Sequence, residues 1–145
     1  MKVQIKPLYE DTILPYRGSE KAAGYDLYAH LDTDMIVIKP HETVLIGVGF
    51  AAAIPDGYVG LACARSGLAI KRNLRPENAP GIIDSDYRGE FKVGIHNDGE
   101  TEQTIYKGDR IAQLVIVPYL DAEFDPVENL DETERGNGGF GSTGI

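Results

Sequence analysis

The side chains of this sequence best suited to chemistry are a pair of acids, an arginine beside a serine, and a run of glycines at the C-terminus. Asp84 and Asp86 stand two positions apart within GIIDSDYRGEFKVGI at 81–95, which reads as a hairpin with its turn at DYRGE. Carboxylates near turns commonly cap backbone groups or face water. Asp84, however, follows two apolar residues, and strand period two would set it on one face with Asp86. A carboxylate held there in a phosphate site could take a proton from an attacking water. The same period sends Tyr87 to the opposite face unless the turn or a bulge re-aims it.

A second group is ARSGL at 64–68. Arg65 and Ser66 precede Gly67 where SGLAIKRN (66–73) opens the one short helical pattern, with Ser66 as its expected N-cap. Helix starts offer free N–H donors to anions, although Ser-Gly is also an ordinary turn. The segment is no Walker loop, since GxxxxGK[ST] occurs nowhere. The third group is the tail from Arg135 to Gly144, with five glycines, Ser142, Thr143 and one aromatic, Phe140. Its composition reads equally as a flexible terminus or as backbone amides free to wrap phosphate oxygens, with Arg135 adding charge-assisted donors. Phe140 has no core of its own there and could stack on a base. His30, His41 and His96 lack metal-ligand spacing with one another or with Cys63, so no zinc site is expected.

Strands must position these groups. VQIKPL, YDLYAH, MIVIK, TVLIGVGF, YVGLAC, EFKVGIHN and RIAQLVIVPYL are short, β-branched or aromatic, and separated by Gly and Pro signals at the spacing of a sandwich or barrel. The expectation is one all-β domain over 1–120. An acidic linker follows at 121–134, with seven acids among fourteen positions, and then the glycine-rich tail at 135–145. Fully extended, such a linker reaches roughly 45–50 Å, enough to carry the tail to another subunit.

A chain of 145 residues that is 42% hydrophobic can bury a core without staples, and its lone Cys63, inside LACA, is expected to lie in that core in a reducing compartment. The formal charge of −9 argues against a nucleic acid polymer as partner. No apolar run is long enough to span a membrane, so a cytoplasmic location is expected, or a nuclear one if the source is eukaryotic or viral.

Taken in order, AGYDL, ARSGL, GIIDSDYRGE, GDRIAQ and RGNGGFGSTG resemble the five ordered motifs of the homotrimeric dUTPases, spanning residues 23 to 144. The resemblance implies a jelly-roll-like β fold, a homotrimer with shared active sites, Mg²⁺, and dUTP as substrate, cleaved to dUMP and pyrophosphate. That reaction supplies dUMP for thymidylate synthesis and keeps uracil out of DNA. Carried over by motif, Asp84 is the base that activates the water attacking the α-phosphorus, and Asp26 assists the metal, through water. Arg65, Ser66 and Gly67 hold α- and β-phosphate oxygens, with Gln113 beside the α-phosphate. Arg135, Gly141, Ser142 and Thr143 bind the γ-phosphate while Phe140 covers the uracil. Backbone groups of Gly81, Ile82, Ile83 and onward to Lys92 read the uracil edge, with Asn78 as an added contact. Tyr87 packs on the deoxyribose and excludes a 2′-hydroxyl. Arg110 either supports the site from behind or pairs with an acid across the trimer.

Ala64 and Pro80 depart from the commoner family residues, and Pro80 puts the backbone contact at Gly81 in question. Two rivals share the fold. A dCTP deaminase would carry a glutamate where this chain has Gly94, and RSS in place of RSG. A non-catalytic regulatory protein would have no need of Asp84, the arginines and the tail together.

Overall fold

The structure, a computed structural model, describes residues 1–139. Eleven strands and one helix follow in the order β1 Gln4–Pro7, β2 Tyr25–Tyr28, β3 Met35–Ile38, β4 Thr43–Gly47, β5 Phe50–Ala53, β6 Tyr58–Cys63, α1 Ser66–Arg72, β7 Leu74–Pro76, β8 Gly81–Ile83, β9 Lys92–Asn97, β10 Gln103–Tyr106 and β11 Arg110–Pro118. All pairings are antiparallel. They form a four-stranded sheet β2-β11-β6-β8, a three-stranded sheet β4-β9-β7, and the pairs β1-β5 and β10-β3.

Alternation sets the core. In β9 the side chains of Val93, Ile95 and Asn97 are buried while Lys92 is exposed, the period of a sheet with one face inward. Val93 and Ile95 join Leu27, Ile38, Ile46, Phe50, Leu74, Phe91, Ile105 and Ile111 in one cluster, with the Phe50 and Phe91 rings tilted against each other at 5.3 Å. Among the described residues Asn97 is the one polar side chain that is buried. Its amide donates to the carbonyls of Ile38 and Thr101 at 3.0 and 2.8 Å and its oxygen accepts from the Gly99 N–H at 3.0 Å. All three bonds are to backbone, so it stitches β3, β9 and the following turn together.

Four sequence expectations change. Segment 81–95 is not a hairpin: β8 pairs with β6 while β9 pairs with β4 and β7, so its arms enter different sheets. TVLIGVGF is two strands, broken at Gly49, whose φ of 76° lies in the left-handed region that glycine tolerates. Helix α1 is capped by Arg65, with no side-chain cap bond, and Ser66 is its first helical residue. Cys63 is half-buried rather than in the core. Strands β7 and β10, over LRP and QTIY, were not foreseen; both are short, three and four residues, and β7 has no β-branched residue. After Pro118 the described chain has no further strand or helix.

Candidate active site

The four-stranded sheet assembles the polar cluster. β11 lies between β2 and β6, and Gln113 is opposite Asp26 on one side and Cys63 on the other. Residues directly opposite share a face, so this pairing sets Asp26, Gln113 and the end of β6 side by side. Two positions beyond Cys63 come Arg65 and then the first turn of α1. Arg110 and Gln113 should face opposite ways in a regular strand. A register shift between Arg110 and Ala112 supplies the extra residue that lets both line one cavity.

That cavity, about 330 Å³, is lined by Gly18, Ser19, Ala22, Gly24, Asp26, Arg65, Ser66, Gly67, Arg110 and Gln113. Asp26, 13% exposed, accepts from Arg65 Nε at 2.8 Å and Arg110 Nη1 at 3.2 Å. Arg65 also donates to the Arg110 carbonyl at 3.4 Å, which still leaves most of its fork free. The Gln113 amide donates to the Ala64 carbonyl at 2.8 Å and so fixes the segment leading into Arg65. Two arginines against one carboxylate leave the cavity with net positive charge in an acidic protein, the condition for gathering a polyanion.

Gly18, Ser19, Ala22 and Gly24 were not foreseen as lining residues. Gly24 carried the signal: a Cβ there would sit 2.5 Å from Gln113 Oε1, so the glycine of AGYDL makes room for the glutamine of GDRIAQ.

Asp84 lies elsewhere. Strand β8 ends at Ile83, paired with Gly60, and a turn closes with the Tyr87 N–H donating to the Asp84 carbonyl at 3.2 Å. Strand period two therefore does not extend to Asp84 and Asp86. Both line a second hollow of about 580 Å³ with Val59, Ile82, Ser85 and Tyr119. The turn also re-aims Tyr87, whose hydroxyl donates to the Glu90 carbonyl at 3.0 Å and whose ring stacks near Phe91 at 6.2 Å. Asp84 follows Ile83, the partner of Gly60, while Arg65 lies two positions past Cys63 at the opposite end of β6, which sets their Cα atoms roughly 15–20 Å apart at strand rise.

Asn78 packs against Gly81, where a Cβ would meet its amide nitrogen at 3.1 Å, and the Ala79–Pro80 peptide bond is cis. Ile82 is exposed and Ile83 half-buried. Lys92 Nζ lies 3.6 Å from Glu90 Oε2. Arg135 donates from Nε to the Gly138 carbonyl at 2.8 Å, within its own turn. Phe140, Gly141, Ser142 and Thr143 lie outside the described residues. Among the described residues no three His, Cys, Asp or Glu side chains gather as a metal cage, and no helix is long and apolar enough to cross a membrane.

Fold and cavity together define an antiparallel β protein, jelly-roll-like, with a cavity bearing two arginines and one carboxylate where β2, β6 and β11 meet. The sequence matches the family described as dUTPase over residues 10–144. A deoxyuridine 5′-triphosphate nucleotidohydrolase of Hydrogenobaculum is 47% identical over 145 residues, covering 100% of this chain and 99% of that protein. Its counterpart in Desulfotalea psychrophila is 54% identical over 136 residues, 94% of this chain and 90% of that one. A Staphylococcus bacteriophage 80alpha dUTPase solved with dUPNHPP superposes with a TM-score of 0.90 at 34% identity, covering 99% of each chain. A mutant dUTPase from phage phi11 of S. aureus, in which a structural Mg(II) ion is coordinated, gives 0.79 at 30% identity over 89% of this chain and 98% of that one. The chain belongs to the dUTPase family.

Proposed function

We propose that this chain is a dUTP diphosphatase whose active site is completed by neighbouring copies in a homotrimer. One observation carries the reading. Arg65, Ser66, Gly67, Asp26 and Gln113 share one cavity, while Asp84 lies roughly 15–20 Å from Arg65 along the same strand direction. A base must come within hydrogen-bond reach of the water it activates. Asp84 therefore serves the phosphate cavity of a neighbouring copy. A second observation supports assembly: Leu120, Phe124 and Leu130 follow β11 almost fully exposed on this chain, large apolar side chains suited to a neighbour's surface.

In the assembled site Arg65, Ser66 and Gly67 hold α- and β-phosphate oxygens, with Asp26 keeping the Arg65 fork oriented. Asp84 takes a proton from water as its oxygen bonds to the α-phosphorus. The bond from that phosphorus to the oxygen bridging to the β-phosphate breaks, and pyrophosphate leaves with the electron pair. Ile82 to Lys92 read the uracil edge through backbone groups, Asn78 bracing Gly81, and Tyr87 walls the deoxyribose. Arg135, Gly141, Ser142 and Thr143 cap the γ-phosphate and Phe140 covers the base.

Mg²⁺ fits the donor set. Asp26 is a carboxylate on the cavity wall, and this ion keeps waters and is held largely by substrate phosphates, so it needs no protein cage. When bound it neutralises charge on the triphosphate and the leaving group. A cytoplasmic or nuclear place of action goes with a substrate drawn from the DNA precursor pool.

Pyrophosphate release from dUTP, dCTP, dTTP and UTP, with and without Mg²⁺, tests the reading. Release from dUTP alone, dependent on metal, is expected. Ammonia from dCTP would instead establish the deaminase reading, and no release from any of the four would favour a regulatory protein.

A further inference from the structure

Glu90 closes the loop that carries Tyr87, and its carboxylate is withdrawn from water to only 17% exposure. It lies across the turn between β4 and β5. Its Oε1 accepts the Gly49 N–H at 3.0 Å, and its Oε2 is 3.6 Å from Lys92 Nζ. The turn is cut to receive it. A Cβ on Gly47 would sit 2.4 Å from Oε1, and Gly49 has the positive φ that turns its N–H toward the acid.

The main chain beside Glu90 is held as firmly. Phe91 exchanges backbone bonds with the same turn, its N–H donating to Phe50 at 2.9 Å and its carbonyl accepting from Val48 at 3.0 Å. The Tyr87 hydroxyl hangs from the Glu90 carbonyl at 3.0 Å. The aromatic ring is therefore tied at its tip to a residue whose own side chain is anchored in the turn between β4 and β5. Tyr87 is 45% exposed, so packing alone leaves it free to swing.

We infer that Glu90 is a positioning residue for sugar discrimination: its carboxylate, seated in the Gly47–Gly49 slot, holds the loop that sets the Tyr87 ring against the sugar. The inference rests on the reading of Tyr87 as the wall that excludes a 2′-hydroxyl. Excluding one oxygen needs a wall placed to within about 1 Å, and an error of that size costs rate and selectivity. Losing the anchor also strips the partner from the Gly49 N–H, so the turn and the loop both relax.

The test compares the full-length chain with Glu90→Ala, Glu90→Gln, Gly47→Ala and Tyr87→Ala, measuring kcat/KM for dUTP and UTP beside thermal melts. Gly47→Ala pushes the carboxylate out of its slot without altering Glu90, and the atom displaced is the end of a flexible side chain, so the fold survives it. Glu90→Ala and Gly47→Ala are expected to lower the dUTP-to-UTP ratio about tenfold, and Tyr87→Ala at least as much. Glu90→Gln, which keeps an acceptor for Gly49, should stay within about twofold of the parent. A merely structural clamp would lower the melting temperature and leave the ratio alone. If Tyr87→Ala lowers the ratio while folded Glu90→Ala and Gly47→Ala do not, the inference is overturned and the Tyr87 reading stands. If Glu90→Gln falls as far as Glu90→Ala, the acceptor oxygen is not the agent and the inference is likewise overturned. An unchanged ratio in Tyr87→Ala sinks the Tyr87 reading and the inference together.

Discussion

If Asp84 and Arg65 serve one site only across subunits, two inactive chains should repair each other. The perturbation is a pair of variants, Asp84→Asn, which removes the base, and Arg65→Ala, which removes the phosphate grip. Within one chain the two positions are roughly 15–20 Å apart, far beyond the reach of a carboxylate to a water on a phosphate held by Arg65. Each homotrimer should therefore be inactive for its own reason. In a cyclic trimer with two chains of one kind and one of the other, one of the three neighbouring pairs joins an intact Arg65 to an intact Asp84. Such a mixed trimer should recover about a third of parental turnover, whichever chain is in excess. Co-expression with two different affinity tags, tandem purification and a pyrophosphate-release assay give the number directly. Mixed trimers no more active than either parent variant would refute the shared site. Near-parental activity in either homotrimer would instead remove that residue from the mechanism.

Gly24→Ala drives a methyl into Gln113 Oε1, and the displaced amide would release Ala64 and with it Arg65. A fall of about ten- to a hundredfold in kcat/KM for dUTP is expected, with the melting temperature little changed. Asn97→Leu keeps the branching at Cγ with a bulkier side chain and strips partners from the Ile38 and Thr101 carbonyls and the Gly99 N–H. It should destabilise the fold by about 3 kcal/mol in denaturant titration, and a loss below about 1 kcal/mol would contradict the buried-clip account. The Lys107 ammonium, hydrogen-bonded to Asp11, with His30 second, lowers the Asp11 carboxyl to about 2. A depressed carboxylate stabilises the fold above its ordinary pKa of 3.8 and loses that contribution as pH falls through about 2. The melting-temperature gap between the parent and Asp11→Ala should thus be steady above about pH 5 and close between about pH 4 and 2. Phe140→Ala should slow the closing step seen in stopped-flow on mixing with a non-hydrolysable dUTP analogue, and an unchanged trace would count against the tail as a cap.

The positions of most strands, the helix at 66–72 and the family were legible in the sequence, because alternation, glycine punctuation and five ordered motifs are properties of residue order. Even there Ser66 was misplaced as the cap, since a capping bond depends on side-chain direction that composition does not encode. Which motifs meet was not legible. That Asp26, Arg65 and Gln113 converge, while Asp84 does not join them, follows from β11 pairing with β2 and β6 and from β8 running antiparallel to β6. The split of 81–95 between two sheets and the seat of Glu90 against Gly47 and Gly49 were equally hidden. Residue order determined which groups could handle a phosphate; only long-range pairing decided which of them one chain brings together. The reason is that strand partners far apart in sequence are chosen by burial and register over the whole core, and no local window contains that competition.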